Sequence, residues 1–462
     1  MARTIRPTVF AMKKKSPNIL LINPWIYDFA AHDLWSKPLG LLLLAGLLRA
    51  QGYQLRLLDC LDVHDSRLQA IPGMKPATRR AFGTGKFYRT QVPKPSSLQQ
   101  FERDYYRFGI TPEMFQERLL EGVEPDAVLV TSTMTYWYPG VQESIRLVKE
   151  HFSDVPLVLG GIYATLCPEH ATRNSGADHI LPGPGETQIL KVLEKLTSYP
   201  SEKPSHNVEL DTLPWPAFDL LPHLDYICTL TSRGCPLRCP YCASAQLYPQ
   251  FVRRDPNQVV DELEYWHEVH SIVNVAFYDD ALLLDASKHI LTLLAEVRRR
   301  ELPLQFHTPN GVHISGLSAE VCEALFLAGF KTMRLGLETG DDERQQQLGA
   351  KVKPGAFSSA MANLTKAGFQ PEQIGVYLLC GLPEQDPNEV AHSIRTVLDH
   401  GARPYLAEYS PIPKTRLWPE ALRCSAFDLA NEPLYHNNSL LPCGRDGFGL
   451  EELQWLKQLC RG

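Results

Sequence analysis

The feature that most constrains this chain is a regular alternation of strand-like and helix-like segments, repeated six times between residues 226 and 409. Apolar, β-prone runs stand at Tyr226–Ser232, Val273–Tyr278, Leu304–Thr308, Thr332–Glu338, Ile374–Cys380 and Pro404–Tyr409. Helical periodicity occupies Pro256–His270, Ala286–Arg300, Ala319–Ala328, Phe357–Ala367 and Asn388–His400 between them. A chain patterned this way lays its strands parallel, because each helix carries the polypeptide back to the edge from which the strand began. Six such units predict a partial (β/α)6 barrel of the TIM type, with its working face at the carboxyl ends of the strands.

The same logic, less regular, applies upstream. A strand at Asn18–Trp25, a helix at Leu39–Gly52, strands at Gln54–Leu61 and Ala127–Thr133, a helix at Val141–Phe152, strands at Pro156–Tyr163 and His179–Leu181, and a helix at Glu186–Thr197 read as a Rossmann-like, doubly wound parallel sheet. The fold class is therefore α/β throughout. Residues 63–122 interrupt the pattern with Lys75, Arg79, Arg80, Lys86, Arg89 and Lys94 among prolines and glycines, followed by an expected helix at Ser97–Tyr106. An interruption of that length reads as an insertion with its own fold. The expected organisation is a Rossmann-like domain at 17–200, a proline-rich linker at 201–223, the barrel at 224–415 and a tail at 416–462.

Composition narrows the setting. The 11 cysteines are odd in number, and the basic residues near the amino end are followed by a strand-like run, so a disulfide scaffold behind a signal peptide is disfavoured. The most apolar stretch, Leu39–Leu48, is half the ~20 residues a membrane span needs. A net charge of −6 argues against a general nucleic-acid binder. The reading is a protein of a reducing cytoplasm, with no membrane span and no nucleic-acid partner.

Chemistry concentrates where the first barrel strand ends, in Ser232-Arg-Gly-Cys235-Pro-Leu-Arg-Cys239-Pro-Tyr-Cys242. Three thiols at spacing C-x3-C-x2-C lie in a loop stiffened by two prolines, with no fourth cysteine nearby. A structural zinc site takes four protein ligands and would need His223 or a distant residue to complete it. An iron–sulfur cubane held by three thiolates instead keeps one iron open.

With that spacing, with Tyr241 directly before the third cysteine and with six βα units, the segment from about 222 to 415 resembles the radical S-adenosylmethionine (radical SAM) enzymes. The resemblance implies that Cys235, Cys239 and Cys242 hold a 4Fe-4S cluster whose open iron is chelated by SAM. It implies reductive cleavage of SAM to a 5′-deoxyadenosyl radical, with an electron donor such as flavodoxin or ferredoxin. Other strand ends fit it residue by residue. Asp279 and Asp280 stand where the family often carries Gly-Gly-Glu against the SAM ammonium, Asp280 being the first choice; a helix N-cap is the alternative. Arg334 and Glu338, an even number of positions apart on one strand, match the element that faces ribose and methionine, or else form a buried ion pair with each other. Gly381 matches the segment under adenine, and Pro411-Ile-Pro-Lys414-Thr415 matches a Pro-Gly-Thr ending with lysine in place of glycine.

Residues 17–200 resemble the cobalamin-binding-type domains that precede many such barrels. The matching pieces are Lys37-Pro-Leu39-Gly40, Gly160-Gly161, and Gly183-Pro-Gly185-Glu186. The D-x-H-x-x-G element that supplies an axial histidine is absent after the first strand. The resemblance implies transfer of a methyl group to a poorly activated carbon, one SAM methylating cobalamin and another generating the radical. A ring-forming, rearranging or oxidative radical SAM reaction is the alternative among enzymes, and a non-catalytic iron–sulfur or zinc redox sensor the alternative of another class. The substrate, a small molecule or peptide, and any further catalytic residue are not legible. Gly83-Thr-Gly85-Lys86 lacks the first glycine and the strand of a phosphate loop, and His267-Glu-Val-His270 has the wrong spacing for a zinc protease helix.

Overall fold

The computed structural model describes residues 15–200, 209–444 and 447–461, so 201–208 of the expected linker lie outside the described residues. The upstream pattern forms a five-stranded parallel sheet of β1 (Asn18–Asn23), β2 (Gln54–Asp59), β3 (Ala127–Val130), β4 (Leu157–Leu159) and β5 (His179–Ile180), in the order β5-β4-β3-β1-β2. Strand β1 is apolar on both faces because both are covered. Leu20 and Ile22 enter one core with Val128 and Val130, while Ile19 and Leu21 enter another with helix α1 (Leu39–Ala50). That is the double winding the unbroken apolar run predicts.

Helix α1 also explains why the proline-rich segment is not a loose tether. Gly46 sits mid-helix, where glycine costs about 1 kcal/mol against alanine. A Cβ there would stand 2.2 Å from the Trp215 carbonyl oxygen. The described part of the segment is thus laid directly on α1, with the Ala217 amide donating to the Leu42 carbonyl at 2.9 Å.

Downstream, β6 (Ile227–Thr229), β7 (Asn274–Phe277), β8 (Gln305–His307), β9 (Phe330–Glu338), β10 (Ile374–Cys380) and β11 (Arg403–Glu408) pair in sequential order, all parallel. Helices between them start on sequence-encoded caps. Asp255 accepts from the Asn257 and Gln258 amides ahead of Pro256, Ser318 accepts from the Val321 amide, and Asp386 accepts from the Asn388 amide ahead of Pro387. The amino-terminal half reaches into this sheet: Trp35 stacks on His307 with ring centroids 4.1 Å apart, and Phe82 covers the same ring at 4.6 Å. Burial pushes His307 down to about 3, so it is a neutral packing and hydrogen-bonding group, set against the Thr332 hydroxyl at 3.0 Å.

The insertion departs from expectation at Ser97–Tyr106. Ser96–Leu98 is a single 3-10 turn, and Tyr105–Phe108 is the middle strand of a three-stranded antiparallel sheet, between Ile26–Asp28 and Arg89–Val92. The aromatic run Tyr105-Tyr106-Arg-Phe108 has β preference, and tertiary pairing decides in its favour. No helix among the described residues is long and apolar enough to cross a membrane.

Candidate active site

Beyond the end of β6, Thr231 leads into a separate two-residue strand, Ser232–Arg233, paired antiparallel with Val252–Arg253, from which the cysteine loop departs. Cys235 is buried, Cys239 half-buried and Cys242 exposed. Among the described residues no three His, Cys, Asp or Glu side chains gather at single-ion spacing. The three thiols are nonetheless mutual neighbours. Crowding by the surrounding protein first, then the Asp280 carboxylate and the adjacent thiols, push Cys235 up and push Cys242 to about 11. Three thiols around one loop, within reach of each other's charge, suit a multi-iron cluster that takes one thiolate per iron. Thiols held up in this way must shed protons on ligation, so assembly is favoured at higher pH.

The two aspartates at the end of β7 have different jobs. Asp279 is 5% exposed and its carboxylate accepts from the Thr231 amide at 3.1 Å, the Thr231 hydroxyl at 2.7 Å and the Ser232 hydroxyl at 2.6 Å. His289 lies 2.8 Å behind the Thr231 hydroxyl. Asp279 therefore spends its acceptors on fixing the launch point of the cysteine loop. Asp280 has one short partner, the Ser244 hydroxyl at 2.6 Å, and the Ser244 amide points at the Cys242 sulfur at 3.4 Å. Neither aspartate caps a helix: the 3-10 turn Ala286–Lys288 starts on Asp285, and the next α-helix, α2 (Ile290–Arg299), has His289 at its cap position.

Arg334 and Glu338 do not pair with each other. A register shift between Gly336 and Glu338 breaks the alternation of β9 that would place them on one face. Arg334 lies over the Tyr405 ring at 4.8 Å. Glu338, 8% exposed and in the left-handed region at φ 69°, takes a salt bridge at 2.5 Å from Lys351. Gly336 lies under this pair, where a Cβ would come within 2.9 Å of the Glu338 carboxylate and 3.1 Å of the Lys351 ammonium. Lys351 also stands 6.0 Å from the Tyr241 ring centroid. Nothing in its own sequence neighbourhood marks it, because it arrives beyond the short helix Asp342–Gln347 that follows β9.

Tyr241 packs into an apolar cluster with Leu348, Leu379, Leu382 and Tyr409 at the strand ends. Gly381 has φ 79° and meets Leu441 of the tail, which a Cβ would approach to 2.9 Å. The tail is a strap across the amino-terminal half: Asn437 donates to buried Asp28 at 2.8 Å, Tyr138 to Glu432 at 3.0 Å, and His436 meets the Thr135 hydroxyl at 3.0 Å.

Gly160, Gly161, Gly183, Gly185 and Glu186 converge as expected. With Gly40 and Leu44 of α1 they line a slot of about 110 Å³ at the carboxyl ends of β3, β4 and β5. The slot is lined by glycines: a Cβ at Gly40 would meet nothing within 4 Å, and those at Gly160 and Gly183 would make only ordinary contacts, with the Leu181 carbonyl oxygen at 3.8 Å and Gln188 Nε2 at 4.0 Å. A thin planar group, such as the base of a cobalamin tail, fits such a cradle. Leu39 does not line it; at 5% exposed it belongs to the barrel-side core, and its neighbour Gly40 takes the position. Glu186 forms a half-buried ion pair with Arg233, two residues before Cys235, and Arg233 lies 4.9 Å from the Tyr248 ring. The glycine slot and the cysteine loop are thereby joined.

The cysteine loop follows β6 of the barrel sheet and the glycine slot lies at the strand ends of the amino-terminal sheet; two family models match these two halves of the chain. The model of the radical SAM superfamily matches residues 229–397, and that of the B12 binding domain matches residues 96–193. The chain is a radical SAM protein with an amino-terminal B12-binding-type domain. Members of this group work with a 4Fe-4S cluster, SAM and, through the second domain, cobalamin. An uncharacterized methyltransferase of Pyrococcus horikoshii is 24% identical over 334 residues, spanning 66% of this chain and 71% of the relative. Another, of Synechocystis, is 26% identical over 257 residues, spanning 53% of this chain and 47% of the relative. In fold, the chain is similar to a radical S-adenosylmethionine methyltransferase, TsrM, from Kitasatospora setae, with a TM-score of 0.63 at 16% identity, covering 89% of this chain and 75% of that one.

Gly161 offers a direct check on the slot. It has φ 93°, and a Cβ would fall 2.2 Å from the Ser132 carbonyl oxygen, so Gly161→Ala must displace the loop between β4 and the following helix. We expect cobalamin affinity, titrated by absorbance, to fall about tenfold or more, while the iron content of the barrel is unchanged. Equal loss of both would show that the slot is not a separate ligand site.

Proposed function

We propose that this radical SAM enzyme is a cobalamin-dependent methyltransferase acting on an unactivated carbon of a small molecule or peptide. The observation that carries this reading is the Glu186–Arg233 pair, which ties the glycine slot to the residue that leads into the cysteine loop. A chain that needed only the barrel chemistry has no cause to hold a second cradle beside it.

In this reading Cys235, Cys239 and Cys242 hold the cluster, and the glycine slot holds the tail of cobalamin. Bound there, the cluster supplies the electron that cleaves SAM and cobalamin carries the methyl group. Asp280, engaged by the Ser244 hydroxyl where Asp279 takes three donors, is the carboxylate beyond β7 placed to accept from the SAM ammonium. Tyr241 and Gly381 bound the apolar strand-end site for the adenosyl part, and Glu338 with Lys351 presents a fixed donor and acceptor to its polar part. Asp279 positions the loop and does not touch SAM. Trp35, Phe82 and the tail keep water from the barrel. An electron donor of the flavodoxin or ferredoxin kind completes the system.

The test uses methyl-labelled SAM with reduced, anaerobic, cobalamin-loaded protein. Label recovered on the corrinoid, with S-adenosylhomocysteine formed alongside, is the expected result. Formation of 5′-deoxyadenosine with no label ever reaching the corrinoid sinks the methyltransferase and leaves a radical SAM enzyme of another reaction.

A further inference from the structure

The carboxyl-terminal strap is held to the rest of the molecule by noncovalent contacts. Besides those of Glu432, His436 and Asn437, it makes two to the insertion: Tyr435 donates to the Ser97 carbonyl at 3.1 Å, and the Ser439 carbonyl accepts from Arg103 at 2.9 Å. Its Leu441 covers Gly381 at a barrel strand end. A thiol stands at each end of this stretch. Cys424 closes the helix Trp418–Cys424, and Cys443 follows the 3-10 turn Asn438–Leu440. Both lie in the apolar cluster that holds Tyr241, Leu382 and Tyr409, where the Cys443 thiol donates a hydrogen bond to the Cys424 sulfur.

We propose that Cys424 and Cys443 form a reversible disulfide that latches the strap over the strand ends. Three observations meet in this pair. The two sulfurs are already in contact, the first requirement of a bond between them. They bracket the strap's grip on the amino-terminal half, so one bond would close a loop containing Glu432, Tyr435, His436, Asn437 and Ser439 together. Finally, the Tyr409 hydroxyl is buried without a hydrogen-bond partner, near enough to both thiols to feel their charge. An orphaned buried O–H is costly. A thiolate at Cys424, the species that exchange requires, would give it an acceptor.

The chemistry is thiol–disulfide exchange with a small-molecule disulfide as the oxidant. Cys424 is half-buried and Cys443 only 2% exposed, so Cys424 is the thiol that the reagent reaches. Its thiolate attacks one sulfur of the reagent and expels the other as a thiol. Cys443 then attacks the mixed disulfide at the Cys424 sulfur and expels the second. The protein gives up two electrons and two protons, and the two released thiols carry them. Burial holds both cysteines up, so the exchange is slow near neutral pH and quickens as pH rises. The reducing conditions in which a low-potential cluster works keep the dithiol open and the strap free to lift. An oxidising excursion fixes it in place, whichever radical reaction the site performs.

The test treats full-length, cluster-loaded protein with oxidised glutathione under anaerobic conditions, then maps disulfides by mass spectrometry and measures backbone hydrogen exchange over residues 425–442. A Cys424–Cys443 cross-link, reversed by dithiothreitol with iron content unchanged, is the expected result. Exchange in the strap should be at least about tenfold slower than in the dithiol form. Cys443→Ser should stop at a glutathione adduct on Cys424, Cys424→Ser should give neither product, and Tyr409→Phe should slow cross-linking several-fold at fixed pH. A glutathione adduct that persists on Cys424 of the unaltered protein overturns the proposal, and so does a bond made instead to Cys235, Cys239 or Cys242. A cross-link that leaves exchange in the strap unchanged overturns the latch.

Discussion

Cys239→Ala should abolish SAM cleavage while leaving the protein folded. The side chain is half-buried in a loop and enters none of the apolar cores, so its truncation removes little packing. What it removes, on the proposed assignment, is one of three cluster ligands, with no fourth cysteine nearby in the sequence. We expect iron content and visible absorbance to collapse and 5′-deoxyadenosine to fall to background, with thermal stability of the metal-free protein unchanged within about 1 kcal/mol. Cys322→Ala makes the opposite case. That thiol is fully buried in the barrel core on the inner face of α3 (Ala319–Leu327), and burial pushes it to about 12. Its loss leaves a small cavity costing about 1 kcal/mol or more, yet cleavage per assembled cluster should be retained. A Cys239→Ala protein that still cleaved SAM would remove the basis for placing the cluster in this loop.

The contrast between these two cysteines shows which parts of the site were open to reading from sequence. Cys235, Cys239 and Cys242 are local: their spacing, their prolines and the strand before them lie within a dozen residues, and local geometry survives into the fold. The glycine positions at the ends of β4 and β5 are similarly local, and they do gather in one slot. Partnerships made through the fold were not legible. Strand parity put Arg334 beside Glu338, and one register shift near the end of β9 separated them. Asp279 and Asp280 look equivalent in sequence, but only the structure shows that one is saturated by Thr231 and Ser232. The helix expected at Ser97–Tyr106 failed for a similar reason: its aromatic residues found strand partners at Ile26–Asp28 and Arg89–Val92, far away in sequence. Lys351 belongs to the same class, and it carries the second large effect.

Lys351→Met should destabilise the protein by about 3–5 kcal/mol, the range for stripping one partner from a buried ion pair. Glu338 would be left 8% exposed, in a left-handed backbone conformation, facing an apolar group. The double variant Lys351→Met with Glu338→Gln should regain most of that loss, since no charge then remains to be solvated. The pH dependence separates the pair from simple packing. Burial pulls the Lys351 ammonium down, but the charge and hydrogen bond of Glu338 outweigh it and hold it above the ordinary 10.5. A lysine raised on folding contributes stability that is fully present below its unfolded value and lost as pH climbs through its folded one. The gap between the unaltered protein and Lys351→Met should therefore stay constant from neutral pH to about 10 and narrow above it. A gap that closes already below neutral pH would rule the pair out as its source. The double variant, stable but without the paired charges, then isolates function: SAM affinity measured on it should be weaker by about tenfold if Glu338 and Lys351 face the polar end of SAM. Unchanged affinity in a folded, cluster-loaded double variant would confine the pair to a structural role under Gly336.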